Sequence, residues 1–186
     1  MLSMKINYPL SNDYRPELDS SPEMDGAGVA YYQSFIGIIW WMVDIDRIDI
    51  FCEVSMMSSN LALPREGHLA QVFHIFSYLK KQHNSSLVFD PSYPDVNLDS
   101  FPKHYWKIFY SDVKEPMLPD MPKPFGKEVK MRCFVGVDHA VEKLTRRSGS
   151  GFIIFLHMAP IYYCAKHQNT VGTSTFGSYF IAMKLV

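Results

Sequence analysis

Cysteine is scarce and unpaired in pattern: Cys52, Cys133 and Cys164 lie far apart, with no C-x-x-C and no Cys/His ligand spacing. That excludes a disulfide framework and the usual zinc sites. The odd count fits reduced thiols, so the compartment expected is cytoplasmic or nuclear, and the three cysteines read as small core residues. Charge of one sign is missing as well. Lys and Arg total 18 against 19 Asp and Glu, so the chain as a whole does not attract polyanions, and any phosphate contact has to come from a local patch. Long hydrophobic runs are absent. The most apolar stretch, Phe35 to Val43, falls far short of the roughly 20 residues that span a bilayer. The polar start, MLSMKINYPLSNDYRPELDSSPEMDG, is no signal peptide. No membrane partner is expected. There is no G-x-S-x-G elbow around Ser148, Ser150 or Ser174 and no glycine-rich phosphate loop, which removes the simplest routes to a hydrolase triad or a nucleotide cradle.

What is present is enough for one ordinary domain or two small ones: 186 residues, 47% apolar and 20% charged. Residues 1–28, with Pro9, Pro16 and Pro22, read as an extended leader with little structure of its own. Residues 29–90 form a helical region. Tyr31, Phe35, Ile38, Ile39, Met42 and Val43 recur on one helix face, and Gly37 there implies close packing. A second helix is expected from about Ile48 to Ser59. A third starts at Pro64 and buries Leu69, Val72, Phe73, Phe76 and Leu79. His68 and His74 on it are six residues apart, too far round the helix to share a metal. Ser86–Phe89 reads as a short strand. Residues 91–128 are a proline-rich linker whose Tyr105, Trp106, Phe109 and Tyr110 are expected to pack back on a neighbour.

Residues 129–186 turn to β. Val129, Met131, Cys133, Val135 and Val137 alternate with Lys130, Arg132 and Phe134, as in a half-buried strand. Thr145 to Gly151 is a basic turn. Phe152–Leu156 and Ile161–Cys164 are strands joined through His157-Met158-Ala159-Pro160. Ser174 is a helix N-cap, and Phe176, Phe180 and Met183 line one face of the closing helix. The fold class expected is α+β: a layer of about three helices, then a partial antiparallel sheet and one C-terminal helix, with an exposed sheet edge.

The β half resembles the ribonuclease H domain of copia-type (Pseudoviridae-like) LTR retrotransposon polyproteins. The residues that carry the likeness are Thr145-Arg146-Arg147-Ser148, Gly151-Phe152, Ala159-Pro160-Ile161, Lys166-His167-Gln168 and Thr173-Ser174-Thr175-Phe176-Gly177-Ser178. The helical half is similar to the segment joining polymerase to ribonuclease H in that family, through Tyr14-Arg15-Pro16-Glu17-Leu18, Tyr32-Gln33-Ser34-Phe35-Ile36-Gly37, Arg47-Ile48-Asp49-Ile50 and Tyr78-Leu79-Lys80-Lys81. The resemblance implies an ancestry in RNA-directed DNA synthesis and in cleavage of RNA within RNA–DNA hybrids. Clustered carboxylates would there hold a Mg2+ pair. It also implies that the chemistry is lost. The family's first aspartate falls on Gly136, its helix glutamate falls on Tyr179, its further acidic ligands fall beyond residue 186, and no Tyr-x-Asp-Asp polymerase motif occurs.

The expected function is therefore that of a catalytically silent reverse transcriptase/ribonuclease H fragment that needs no cofactor. Two alternatives stand beside it. One is a non-catalytic module that grips an RNA–DNA hybrid or another polyprotein segment through Arg146, Arg147 and Lys166, with Arg132 and Lys143 extending the basic face. The other is a divalent-metal nuclease rebuilt on Asp138 and Glu142 with His139, or completed by a second chain. The sequence sets no oligomeric state.

Overall fold

A computed structural model of the chain describes residues 6–95, 105, 107–112, 119–122 and 125–186. Its architecture is α+β, with helices preceding a three-stranded antiparallel sheet and one helix closing the chain. Helix α1 spans Gly26–Ile45, α2 Phe51–Ser58, α3 Glu66–Lys81 and the short α4 Lys107–Tyr110. Strands β1 (Met131–Asp138), β2 (Gly149–Leu156) and β3 (Ala159–His167) form a meander in sequence order, and α5 is Thr175–Met183.

The expected helices form, but their buried faces are rotated. In α1 the Asp25 carboxylate accepts from Gly28 N at 2.8 Å and caps the helix. The stripe that goes inside is Tyr32, Ile36, Ile39 and Val43, while Tyr31 and Ile38 stay exposed. Gly37 has open space where a Cβ would stand, so close packing is not its reason. In α3 the buried stripe is His68, Val72, Ile75 and Leu79, with Phe73 outside. Pro64 lies before the cap residue Arg65 rather than inside the helix. These two stripes, with Ile50, Val54, Met57 and Leu10, make the main core. Each such side chain contributes on the order of 1.5–3 kcal/mol by leaving water.

The leader is ordered, contrary to expectation, because α3 supplies polar groups that its backbone needs. Ser11 N donates to Gln71 at 3.1 Å, Lys81 donates to Ile6 O at 2.9 Å, and Arg65 donates to Ser21 O at 2.6 Å. Arg65 N donates to His68 Nδ1 at 3.0 Å, which leaves His68 Nε2 to donate to Pro16 O, also at 3.0 Å. A buried histidine with both nitrogens engaged is structural, and it explains the rotated face.

Ser86–Phe89 forms no strand, and Val88 and Phe89 are exposed. Tyr105 and Phe109 are also exposed and do not pack back; Trp106 and the Tyr110 side chain lie outside the described residues. The cysteines are not core residues: Cys52 and Cys133 are exposed, Cys164 is half-buried and all three are unpaired. The β2–β3 turn shrinks to His157-Met158, and the register shift at Ile154/Phe155 falls opposite Pro160 and Ile161, a position that spares proline a ladder bond. Ser174 caps α5 as expected, accepting from Gly177 N at 3.1 Å. The face of α5 is inverted, however. Ser178 and Ala182 are buried, while Phe176, Phe180 and Met183 point to solvent.

Candidate functional site

Alternation along the strands gives the sheet two unlike faces. Phe134, Gly136 and Asp138 of β1 lie opposite Ile153, Gly151 and Gly149 of β2. This face looks toward the helical layer. Tyr163 joins the two: its ring meets Phe51 edge-on at 4.9 Å, and its hydroxyl donates to Val43 O at 2.8 Å. Ser55 on α2 donates to Ala165 O on β3 at 2.8 Å. Beside these ties a cleft of about 700 Å³ opens between α2 and the sheet. Phe51, Met56, Phe134 and Ile153 wall it, Gly136, Gly149 and Gly151 leave its floor bare, and Arg15, Asp138 and His167 stand among its polar groups. Burial and the charge of Glu53 raise the Cys52 thiol on its wall. The arrangement is suited to receiving an apolar surface rather than to acid–base work.

Asp138 reaches this cleft from the end of β1, whereas Glu142 lines a second recess of about 250 Å³ with Glu17 and Arg147. Its carboxylate accepts the Thr145 hydroxyl. Gly136 is exposed at mid-strand, with open space at its Cβ position. Tyr179 lies on α5, partly exposed and away from the cleft lining. The donor set does not fit the magnesium pair that the family resemblance implies. Neither a glycine nor a phenol supplies an anionic oxygen, and among the described residues no three His, Cys, Asp or Glu side chains gather.

The cations do not form one track. Arg146, in a left-handed turn conformation, and Arg147 are exposed in the turn before β2. Lys166 is exposed across from Ser150, and Lys143 is exposed beside the same turn, its backbone N–H donating to Glu17. Arg132 sits at the other end of β1, donating to His157 O at 2.8 Å and stacked near Phe134 and Phe155.

The far face carries a buried polar cluster that the motif search missed. His139 Nδ1 lies 2.9 Å from Ser178 Oγ, which lies 3.0 Å from Ser148 Oγ. Ser148 Oγ accepts from Ala140 N, and Gln168 donates to Ser150 Oγ at 2.7 Å and to Ser178 O at 2.8 Å. The signal was small polar residues in alternation, Ser148 and Ser150, opposite a helix with Ser178. Serine and histidine meet here, but Ser148 and Ser178 are fully buried and outside either cleft, so the cluster cements α5 to the sheet. Among the described residues, no helix is long and apolar enough to cross a membrane. Comparison with protein-family models, with curated proteins and with solved structures finds no match to this chain.

Proposed function

We propose that this chain is a ribonuclease H-like segment of a copia-type retroelement polyprotein that carries no catalysis of its own. The observation that carries this reading is Gly136. It sits at the middle of the first strand, on the sheet face that borders the cleft, with empty space where the family's first carboxylate would project. The order of a three-stranded meander followed by a capped helix supports the same ancestry. Tyr179 supports the loss, because a neutral phenol on α5 replaces the second anion. The reading implies a reducing compartment, cytoplasm or nucleus, where Cys52, Cys133 and Cys164 stay thiols.

The test is incubation of the pure chain with an RNA–DNA hybrid and magnesium or manganese. The expected outcome is an uncut RNA strand with either metal. Metal-dependent cleavage that disappears in Asp138→Asn or Glu142→Gln would establish the rebuilt nuclease instead.

A second reading is favoured by the apolar cleft: a non-catalytic module that holds another polyprotein segment. Cations divided between the two ends of β1 supply little of the continuous positive field that a hybrid backbone requires. Hybrid binding at low salt that weakens in Arg146→Ala/Arg147→Ala would shift the preference back to nucleic acid.

A further inference from the structure

β1 is an edge strand. In the meander its one partner is β2, and among the described residues no backbone hydrogen bond leaves its outer side. Which groups face outward follows from the ladder. His157 N donates to Lys130 O at 2.8 Å, so the even-numbered residues of β1 bond to β2 and the odd-numbered ones turn their N–H and C=O outward. Among the described residues, Cys133, Val135 and Val137 therefore present unpaired backbone groups.

The usual protections of an edge are missing. β1 contains no proline, no lysine and no bulge, and its two charges are Arg132 and Asp138. Those two charges are equidistant from Val135. If a second β1 lies antiparallel with Val135 opposite Val135, then Arg132 faces Asp138 of the other copy at both ends. Cys133 then faces Val137, and Phe134 covers Gly136, whose Cβ position is open. Opposite charges across strands and an aromatic ring over a strand glycine both favour pairing. A shift of register by two residues loses both ion pairs. The helical layer leaves room, since α2 packs on β3 at the far side of the sheet. Helix α5, which packs on β1, adds exposed Phe176, Phe180 and Met183 on the opposite face.

We propose that two copies of this chain form a two-fold symmetric dimer by antiparallel β1–β1 pairing centred on Val135, making one continuous six-stranded sheet. The occupant is a second copy because the edge is self-complementary in charge and in shape. The proposal does not depend on the ancestry proposed above.

Sedimentation of the full chain tests it. The wild type is expected at twice the 21.5 kDa chain mass in the high micromolar range. Asp138→Arg alone and Arg132→Asp alone place like charges opposite each other twice, so each should dissociate roughly tenfold or more readily. An equimolar mixture of the two variants restores both ion pairs and should dimerise as the wild type does. Val135→Pro removes an outward N–H and spares the β2 ladder, so it should be monomeric with an unchanged circular dichroism spectrum. A monomeric wild type, single variants that dimerise undiminished, or a mixture no tighter than its components would overturn the pairing. So would a dimer that survives Val135→Pro.

Discussion

Gly37 and Gly67 sit in neighbouring helices and predict opposite outcomes for the same substitution. Gly37 is exposed on α1 with nothing near its Cβ position. Gly37→Ala should raise stability by about 0.5–1 kcal/mol, because alanine loses less backbone entropy in a helix. A Cβ at Gly67 would collide with the carboxylate of Asp19. That carboxylate cannot swing away cheaply: it accepts from Tyr14 Oη at 2.6 Å, Ser21 N at 2.9 Å and Ser21 Oγ at 2.5 Å. Gly67→Ala should therefore lower stability by about 1–3 kcal/mol despite its better propensity. Chemical denaturation of both variants checks the pair, and a stabilised Gly67→Ala would mean that the leader does not hold Asp19. The same carboxylate sets a pH dependence. Burial alone would raise its pKa, but the hydrogen bonds from Ser21 and Tyr14 outweigh that and hold it below the usual value. An acid with a depressed folded-state pKa adds stability at neutral pH, and that stability is lost as pH falls through the folded value. Asp49, opposed by burial but held by Arg47 and Tyr78, has the same sign. Glu53, raised by burial, has the opposite one. Melting temperature should fall as pH drops below about 4, and Asp19→Asn should flatten that fall while lowering stability at neutral pH.

At the scale of the element, α5 shows how a sequence pattern and a buried face part company. Phe176, Phe180 and Met183 are the apolar stripe, yet Ser178 and Ala182 go inside. The reason lies in the surface beneath. Ser148, Ser150 and Gln168 form a floor of polar groups that need partners, and a helix approaching that closely must bring a small hydroxyl rather than a phenyl ring. Gly172 makes the same point, since a Cβ there would strike Ser178 Oγ. Ser178→Ala should cost about 1–3 kcal/mol by stranding Ser148 and His139, whereas Phe176→Ser should lie within about 0.5 kcal/mol of the wild type. Equal losses in the two variants, read from denaturation midpoints, would mean that the apolar stripe is buried after all. The strand and the α5 cap could be read because they depend on neighbours in sequence, Val135 with Val137 and Ser174 with Gly177, but of the expected inward set Val129, Met131 and Cys133 stay exposed. Helix faces could not, because they were decided at a distance, by Pro16 O meeting His68 and by Ser148 meeting Ser178. The cleft was not legible, and Thr145 to Gly151 reads as a turn although β2 already begins at Gly149. Gly149 and Gly151 alternate in plain sight, but their alignment with Gly136 and the wall at Phe51 exist only once the sheet docks on α2.

At the scale of the whole molecule, the apolar core is unevenly divided. The main cluster is built almost wholly from α1, α2, α3 and the leader. The β half buries few apolar side chains, Ala140 after β1, Phe152, Pro160 and Ala182, and it depends on polar ties instead. What connects the halves is narrow: Tyr163 against Phe51, its hydroxyl on Val43 O, Ser55 on Ala165 O, and Lys143 N on the Glu17 carboxylate. Local stability follows buried apolar contact, so the halves should open at different free energies. Hydrogen exchange on the chain diluted to its monomer should show the strongest protection at Ile36, Ile39, Val72 and Ile75, and weaker protection through β1 to β3. Tyr163→Ala removes both the ring contact and the hydrogen bond to Val43. It should speed exchange across the three strands and α5, yet leave the centres of α1 and α3 nearly as slow as before. If instead exchange accelerates equally in both halves, the molecule unfolds as one unit, and the sheet draws its stability from the helical core through more than this single side chain.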